Sequence, residues 1–248
     1  MYKTLVIIPA YNEEENIEKV VNYITEKFPQ YDCLVINDGS TDRTEELCEI
    51  NGYAVLNLSI NLGIGGAVQA GYLYAKKNHY DIAIQIDGDG QHNIIYAGQM
   101  IKLLEEKKAD VVIGSRFLRK EGFQSSGTRR IGIYFLSLLI RICTGIKIYD
   151  VTSGFRAVNR RFIEIYSREY SSDYPEPEAI VTAVMYGAII KEVPVVMNKR
   201  QGGESSIKFW NSIYYMIKVT LAILIKRISY GIRRSGNKAD EIGKKERT

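Results

Sequence analysis

Cysteine and histidine are both scarce in this chain of 248 residues. The three cysteines, Cys33, Cys48 and Cys143, have neither the spacing of a metal site nor that of a redox motif. Their odd number argues against a disulfide framework and favours a reducing compartment. The two histidines, His79 and His92, are not taken as catalytic bases, because His79 lies at a polar helix end and His92 merely follows an acidic motif.

Long uninterrupted apolar runs are also absent. Residues 131–146 are broken by Arg141 and residues 209–225 by Lys218, so neither stretch offers the roughly 20 apolar residues that a membrane span needs. Aromatic residues at one end and cations on one face fit a helix that lies in the membrane interface. The alternative is that both stretches are core helices of a soluble domain. Since a predicted strand starts at once and leaves no room for a signal peptide, we expect a cytoplasmic protein, peripheral at the cytoplasmic face of the membrane.

Two common nucleotide-binding motifs are missing as well. The first strand–helix turn, residues 9–14, has no glycine at which a dinucleotide pyrophosphate could approach, which argues against a Rossmann dehydrogenase. No P-loop lysine motif occurs. From Lys199 onwards twelve basic residues face four acidic ones, which suggests a membrane surface or nucleic acid as partner. No aromatic–basic platform supports nucleic acid.

What the first half does contain is an alternation of apolar strands and helices. Strands are predicted over residues 4–8, 33–37, 54–58 and 82–86, with a helix from about Asn12 to Lys27, where Asn12 is the predicted N-cap. This pattern predicts an α/β fold with a parallel sheet and right-handed crossovers. Ligands of such sheets bind beyond the carboxyl ends of the strands, where Tyr11, Asp38, Gly63 and Asp87 fall. Glycines at 63, 65 and 66 would let the backbone approach a phosphate or a base, although a plain tight turn explains them equally well.

The fourth of these strands leads into Asp87-Gly88-Asp89. Two carboxylates at the end of a buried strand are costly unless a positive group lies between them. Mg²⁺ with a nucleoside diphosphate meets that need, because this ion prefers one or two carboxylates plus phosphate oxygens. The alternative is a solvated Asp-Gly turn.

Taken together, these motifs resemble those of the family 2 glycosyltransferases of the GT-A fold. The segments that carry the resemblance are Pro9-Ala-Tyr-Asn-Glu-Glu-Glu-Asn16, Asn37-Asp-Gly-Ser-Thr-Asp42, Asp87-Gly-Asp-Gly-Gln91 and Gly114-Ser-Arg-Phe117. A closer similarity to polyprenyl-phosphate glycosyltransferases, such as the dolichyl-phosphate mannosyltransferases, rests on Thr152-Ser-Gly-Phe-Arg-Ala157, Glu192-Val-Pro-Val195 and Arg200-x-x-Gly-x-Ser-x-x-Lys208. The resemblance covers residues 3–210. Gly88 and Gly90 depart from the family's usual residues, which blurs the sugar specificity.

The resemblance implies a role for each motif. The nucleoside of a UDP- or GDP-sugar donor would be held by Pro9, Tyr11, Glu13 and Asp38. Mg²⁺ or Mn²⁺ would be bound by Asp87, Asp89 and Gln91 against the diphosphate, on which Arg200 and Lys208 would close. The acceptor's phosphate would be received by Arg116, Arg130 and Arg156, so that these three and Asp89 form the predicted catalytic set.

The leading hypothesis is an inverting transfer of one sugar to a polyprenyl phosphate, such as undecaprenyl phosphate, for cell-envelope glycan assembly. An ionised phosphate is already a nucleophile and requires no strong base. A saccharide hydroxyl, the main alternative acceptor, would need a carboxylate base, for which Glu178 is the candidate and Glu176 its neighbour. A non-catalytic nucleotide-binding scaffold is the alternative from another class.

The predicted organisation has three parts. Residues 1–208 form the GT-A catalytic domain, 209–231 an amphipathic interfacial helix and 232–248 a polar basic tail. The predicted partners are the donor, the lipid acceptor, the membrane surface and a small membrane protein. The sequence leaves the oligomeric state open, a homo-oligomer included.

Overall fold

A seven-stranded sheet forms the centre of the protein, as seen in a computed structural model that describes residues 2–119, 127–173, 175–197 and 215–229. The strands are β1 (Thr4–Ala10), β2 (Asp32–Asn37), β3 (Val55–Asn57), β4 (Ile82–Gln85), β5 (Val111–Ser115), β6 (Arg156–Asn159) and β7 (Ile190–Pro194). Their order across the sheet is β3-β2-β1-β4-β6-β5-β7. All neighbours are parallel except β6, which runs antiparallel to both β4 and β5.

Helices cover both faces of this sheet. They are α1 (Ile17–Lys27), α2 (Thr44–Ile50), α3 (Gly63–Lys77), α4 (Ala97–Glu105), α5 (Gly127–Thr144), α6 (Arg160–Tyr166) and α7 (Pro175–Met185), followed by a helix over residues 215–229 that we call α8. Strand β1 is buried along its whole length, as its continuous apolar run predicts. Its alternate side chains enter two separate cores: Leu5 and Ile7 face α3, α5, α6, α7 and α8, whereas Val6 and Ile8 face α1, α2 and α4.

The predicted α/β fold with a mostly parallel sheet is confirmed, and the four strands predicted in the first half are present. The start of the first helix is wrong. Asn12 is not an N-cap, because it adopts a left-handed backbone with φ 54° and the helix begins at Ile17, after Asn16. The reversed strand β6 has no counterpart in the prediction, since its four residues lie inside a motif that the sequence marks as a ligand site.

The glycine-rich start of α3 contacts protein backbone. A Cβ on Gly65 would lie 1.9 Å from the carbonyl oxygen of Ser171 and 2.4 Å from that of Ser172. The Gly65 N–H donates to the same Ser172 oxygen at 3.2 Å. Gly65 is therefore required for the close approach of α3 to residues 171–172, and the predicted contact with a ligand is not needed to explain it.

Helix α8 is anchored at several points to the rest of the protein. Val219 and Ile223 are fully buried in the core on the α3 side of the sheet. Lys218 forms an ion pair with Asp173. No helix among the described residues is both long enough and apolar enough to cross a membrane.

We expect Gly65→Ala to lower the free energy of unfolding by about 1–3 kcal/mol, because the added methyl group must push two backbone segments apart. Urea denaturation followed by circular dichroism measures the change. Gly98→Ala is the matched control, since Gly98 lies in α4 with no atom within 4 Å of its added Cβ. This control should gain about 0.5–1 kcal/mol from helix propensity. An equal response of the two variants would contradict the packing argument.

Candidate active site

The loops that follow β1 and β2 are tied together by side-chain hydrogen bonds. The Asn12 N–H donates to Ser40 Oγ at 3.0 Å, and the Thr41 N–H donates to Asn12 Oδ1 at 2.8 Å. The Glu13 N–H donates to Thr44 Oγ1 at 2.9 Å. These bonds give Asn12 its role in place of the predicted helix cap. They also bring two predicted nucleoside-binding motifs to one edge of the sheet.

The predicted nucleoside-binding residues all lie at or near this edge. Tyr11 follows β1 and is half exposed, whereas Pro9 is buried within β1. Asp38 follows β2 and is buried, and its Oδ1 accepts the Leu62 N–H at 2.7 Å. Burial raises the pKa of Asp38 above its ordinary value. The Asp38 carboxylate thus orders the loop before α3, which is a role that the sequence does not indicate.

The aspartate pair lies directly beyond the end of β4. Asp89 is buried, and its Oδ1 accepts the Gln91 N–H at 3.0 Å. The Asp87 side chain is about a third exposed, at 36%. Gly88, between them, packs against the β1 end: its added Cβ would lie 3.1 Å from the Pro9 carbonyl oxygen and 3.5 Å from Glu13 Cγ. The structure therefore brings the first motif against the aspartate pair.

The aspartate pair fits a hard divalent cation that a diphosphate also binds. No group of three or more His, Cys, Asp or Glu side chains in the part of the chain described could hold a metal alone. Mg²⁺ does not require such a group, because it takes one or two protein carboxylates together with phosphate oxygens. Asp87 and Asp89 would supply these carboxylates, and the Gln91 amide lies two residues further along the chain. The bound ion would stabilise the negative charge of a leaving diphosphate.

His92 holds the backbone of Asp87 through a hydrogen bond. Its side chain is buried, its Nδ1 accepts the Asp87 N–H at 3.0 Å, and its ring stacks on Phe155 at 5.4 Å between centroids. Burial lowers the pKa of His92 to about 4, so the ring is neutral near pH 7. Nδ1 is the acceptor in this arrangement, which makes His92 a structural residue of the loop.

The Thr152–Ala157 motif packs against Asp87, the first aspartate of the pair. A Cβ on Gly154 would lie 2.7 Å from Asp87 Oδ1, so the Asp87 carboxylate rests directly against the backbone of this glycine. Ser153 Oγ donates to the Gly114 carbonyl at 2.6 Å and ties the motif to β5. The sequence analysis gives Gly154 no role of its own, and the glycine within the motif is the one signal that could have indicated this close approach.

Arg156, which is predicted to receive the acceptor's phosphate, is buried two residues after Gly154 in the chain, and its predicted role stays a prediction. It has no exposed surface, and its guanidinium donates from Nε to the Ser153 carbonyl at 2.9 Å and from Nη2 to the Val151 carbonyl at 3.4 Å. Arg156 holds the turn that carries Gly154.

Arg116 follows β5 and is held in a buried ion pair. Its Nε donates to Asp150 Oδ2 at 2.7 Å and its Nη2 to Asp150 Oδ1 at 2.6 Å, while Nη2 also donates to Thr152 Oγ1 at 3.0 Å. Asp87 and Glu176 are close enough to act on the Arg116 charge. The charge of Asp87 therefore acts on Arg116, and the predicted contact of Arg116 with an acceptor's phosphate stays a prediction.

Three further cations belong to the predicted set. Arg130 lies on α5 and is exposed. Arg200 and Lys208 lie outside the described residues, so their predicted contacts with the donor phosphates stay predictions.

Two carboxylates at the start of α7 differ in their surroundings. Glu178 accepts a hydrogen bond from Ser171 Oγ at 2.8 Å and lies 3.8 Å from Lys226 Nζ of α8. Burial raises the pKa of Glu176, and the charges of Arg156, Asp87 and Arg116 also act on it. The charge of Asp87 therefore acts on Glu176, whereas the predicted Glu178 is engaged by Ser171 and lies near Lys226.

Comparison with known proteins shows the family of this chain. Residues 5–166 match the model of the family described as glycosyl transferase family 2. Polyprenol monophosphomannose synthase of Mycolicibacterium smegmatis is 29% identical over 232 residues, which cover 88% of this chain and 85% of that protein. Undecaprenyl-phosphate mannosyltransferase of Micrococcus luteus is 31% identical over 215 residues, which cover 83% and 87%.

Solved structures give the fold. Glucosyl-3-phosphoglycerate synthase from Mycobacterium tuberculosis, in complex with Mn²⁺, uridine diphosphate and glucosyl-3-phosphoglycerate, superposes with a TM-score of 0.68. It is 21% identical, and the match covers 91% of this chain and 80% of that one. The predicted GT-A fold is thereby confirmed.

We expect Gly154→Ala to weaken binding of Mn²⁺ with UDP or GDP by roughly 10–100-fold, the usual effect of disturbing a group that orients a metal ligand. The new methyl group must displace the Asp87 carboxylate, which lies at the end of a short side chain. Mn²⁺ titration followed by electron paramagnetic resonance measures the affinity, and thermal melting checks the fold. Gly98→Ala is the control. A folded variant with unchanged Mn²⁺ affinity would show that Gly154 does not position Asp87.

Proposed function

The chain belongs to glycosyl transferase family 2, and from this premise we propose that it transfers one sugar from a nucleotide-sugar donor to a polyprenyl phosphate. The product would be a lipid-linked sugar for cell-envelope glycan assembly. The names of the Mycolicibacterium and Micrococcus relatives support a polyprenyl phosphate acceptor. The donor would be a UDP- or GDP-sugar, and the Mn²⁺–UDP complex of the structural neighbour supports a divalent cation beside the diphosphate.

One observation favours a phosphate acceptor: a buried, fixed arginine lies close enough to Asp87 for the two charges to interact. Asp150 and Thr152 hold Arg116 through Nε and Nη2, which sets the plane of its guanidinium. Arginine forks match phosphate oxygens in shape and charge. An acceptor phosphate beside Arg116 would be brought close to the sugar of a donor whose diphosphate lies at Asp87 and Asp89.

The proposed reaction is a single displacement. A phosphate oxygen of the acceptor attacks the anomeric carbon from the side opposite the leaving group, the bond from that carbon to the donor diphosphate breaks, and the configuration inverts. The leaving nucleoside diphosphate keeps the bonding electrons. Because the attacking phosphate is already ionised, no proton has to be removed from it. Arg116 would orient the acceptor, while Tyr11, Glu13 and Asp38 would orient the nucleoside.

A saccharide hydroxyl is the second candidate acceptor, and Glu176 is the observation that favours it. A carboxylate with a raised pKa near the aspartate pair has the properties of a general base. The earlier candidate, Glu178, is engaged by Ser171 and by Lys226. If the acceptor is a saccharide, Glu176 is therefore the base to test.

Membrane attachment would follow from exposed apolar side chains on α5 and α8. These two helices meet where a Cβ on Gly132 would lie 3.3 Å from Met216 Sδ. Each helix exposes large apolar side chains at helical spacing: Ile131, Tyr134, Phe135, Leu138 and Ile142 on α5, and Ile217, Leu221, Leu224, Ile225 and Ile228 on α8. We call these ten residues the apolar face. Exposed Arg130, Arg141 and Arg227 accompany it, which suits an anionic lipid surface.

The first test is transfer itself. Purified protein with Mg²⁺ or Mn²⁺ and a panel of labelled UDP- and GDP-sugars should place label in undecaprenyl phosphate. Asp89→Asn should lower this transfer by at least about 10²-fold, as loss of a charge-stabilising group does in other enzymes. Glu178→Gln should retain activity, because no base is needed.

Other results would redirect the proposal. Donor turnover with label only in saccharide, abolished by Glu176→Gln, would establish the hydroxyl acceptor. Donor binding without any turnover would favour a nucleotide-binding scaffold.

We expect Ile142→Glu combined with Ile225→Glu to abolish most binding to vesicles of phosphatidylglycerol and phosphatidylcholine. Burial of one such side chain in the lipid contributes about 1.5–3 kcal/mol to binding. Replacing two of them with charged glutamates should therefore reduce the affinity for vesicles by more than tenfold. Co-sedimentation measures the bound fraction. Ile50→Glu is the control, because Ile50 is 69% exposed on α2, against the opposite face of the sheet. Equal sedimentation of both variants would rule out the apolar face as the attachment site.

A further inference from the structure

The Glu-Val-Pro-Val segment of β7 has no role in the reaction described above. Its first residue, Glu192, pairs with Ile113 of β5 in the sheet, three residues before Arg116. The Glu192 carboxylate accepts two backbone hydrogen bonds: Oε2 from the Tyr149 N–H and Oε1 from the Asp150 N–H, both at 2.9 Å. Both carboxylate oxygens therefore hold the loop that carries Asp150.

Asp150, which this loop carries, in turn fixes the position of Arg116. It has no exposed surface, and its two carboxylate oxygens receive Nε and Nη2 of Arg116 at 2.7 and 2.6 Å. Asp150 Oδ2 also accepts the Arg116 backbone N–H at 3.0 Å. One carboxylate thus fixes both the backbone and the guanidinium of the same arginine.

We propose that Glu192 and Asp150 are positioning residues that set the guanidinium of Arg116 for the acceptor's phosphate. We call Glu192, Asp150 and Arg116 the positioning relay. The inference rests on the proposed function, because only a phosphate acceptor makes the orientation of Arg116 matter for the reaction.

The positioning relay would favour binding because an arginine side chain is flexible unless the protein holds it. A long side chain loses conformational entropy when it binds a ligand, and prior fixation by the protein removes that cost from the binding step. A hydrogen bond from the guanidinium to a phosphate oxygen also depends on the plane of the guanidinium. Because Asp150 and Thr152 engage Nε and Nη2, the plane of the guanidinium is fixed before the acceptor arrives.

A purely structural role for Glu192 makes a different prediction. Glu192 also joins the loop at residues 149–150 to the sheet, so its loss could lower stability without acting on Arg116. In that case the kinetic constants for donor and acceptor would change together. A role through Arg116 changes only those of the acceptor.

The test uses Glu192→Gln in the full chain. Glutamine keeps the shape of the side chain but turns one acceptor oxygen into an NH₂ group, which cannot accept the second backbone N–H. We expect the KM for undecaprenyl phosphate to rise on the order of tenfold, the size of outer-shell effects at other ligand sites. The KM for the nucleotide sugar should change less than about twofold, because the nucleoside and metal residues are untouched. Lys191→Gln, at the exposed neighbouring position, is the control and should leave both constants unchanged.

A double-mutant cycle separates the relay from a structural effect. In an Arg116→Lys background, Glu192→Gln should have no further effect on the acceptor KM, since its action passes through the guanidinium. Asp150→Asn should behave in the same way where it folds, as judged by thermal melting. If Asp150→Asn does not fold, Glu192→Gln carries the test alone.

The outcomes distinguish the relay from the proposed function. Wild-type transfer to undecaprenyl phosphate, with an unchanged acceptor KM in Glu192→Gln or with additive effects in the cycle, overturns the relay alone. A wild-type protein that binds donor and cation but transfers nothing to undecaprenyl phosphate contradicts the proposed function and, with it, the relay.

Discussion

The buried ion pair between Arg116 and Asp150 is the interaction on which the proposed acceptor side of the site, the part that would bind the acceptor's phosphate, depends. Two charges removed from water are stable only if they face each other with good geometry and further hydrogen bonds. Here Thr152 supplies one such bond and the Arg116 backbone N–H another. Loss of one partner would leave an unpaired buried charge, at a cost of about 3–5 kcal/mol. The guanidinium that would bind a phosphate is therefore held by the same contacts that stabilise its burial.

The reversed strand β6 explains how this acceptor side reaches the aspartate pair. In an antiparallel pair, the beginning of one strand lies beside the end of its neighbour. Arg156 begins β6 and pairs with Gln85 at the end of β4, two residues before Asp87. The segment entering β6, with Gly154 and Asp150, is thereby delivered to the edge where the parallel strands end. A parallel β6 would have carried this segment to the far edge of the sheet.

Part of the proposed donor side could be placed from the sequence, because three of its residues follow apolar strands. The end of a parallel strand is a defined place in the fold, so Tyr11, Asp38 and Asp87 could be brought together without coordinates. Arg156 could not be placed in this way, since residue type does not say which face of a strand it occupies. Once β6 is known, alternation puts Arg156 on the same face as Val158, inside the core. Asp150 carries no spacing signal at all, and only the contact with Arg116 reveals it.

Helix α5 connects the acceptor chemistry to the proposed membrane attachment. Arg130 lies in its first turns, and the apolar side chains of the same helix begin at the next residue, Ile131. The phosphate of a polyprenyl phosphate lies at the boundary between lipid and water, so its receptor has to present cations and apolar side chains at one level. A helix with arginine at its start and a stripe of exposed apolar residues satisfies both needs with one element. Helix α8 contacts α5 near this start, and Lys226 of α8 lies near Glu178 of α7. An apolar face on α5 and α8 would therefore hold the sheet at a fixed distance and orientation from the lipid surface.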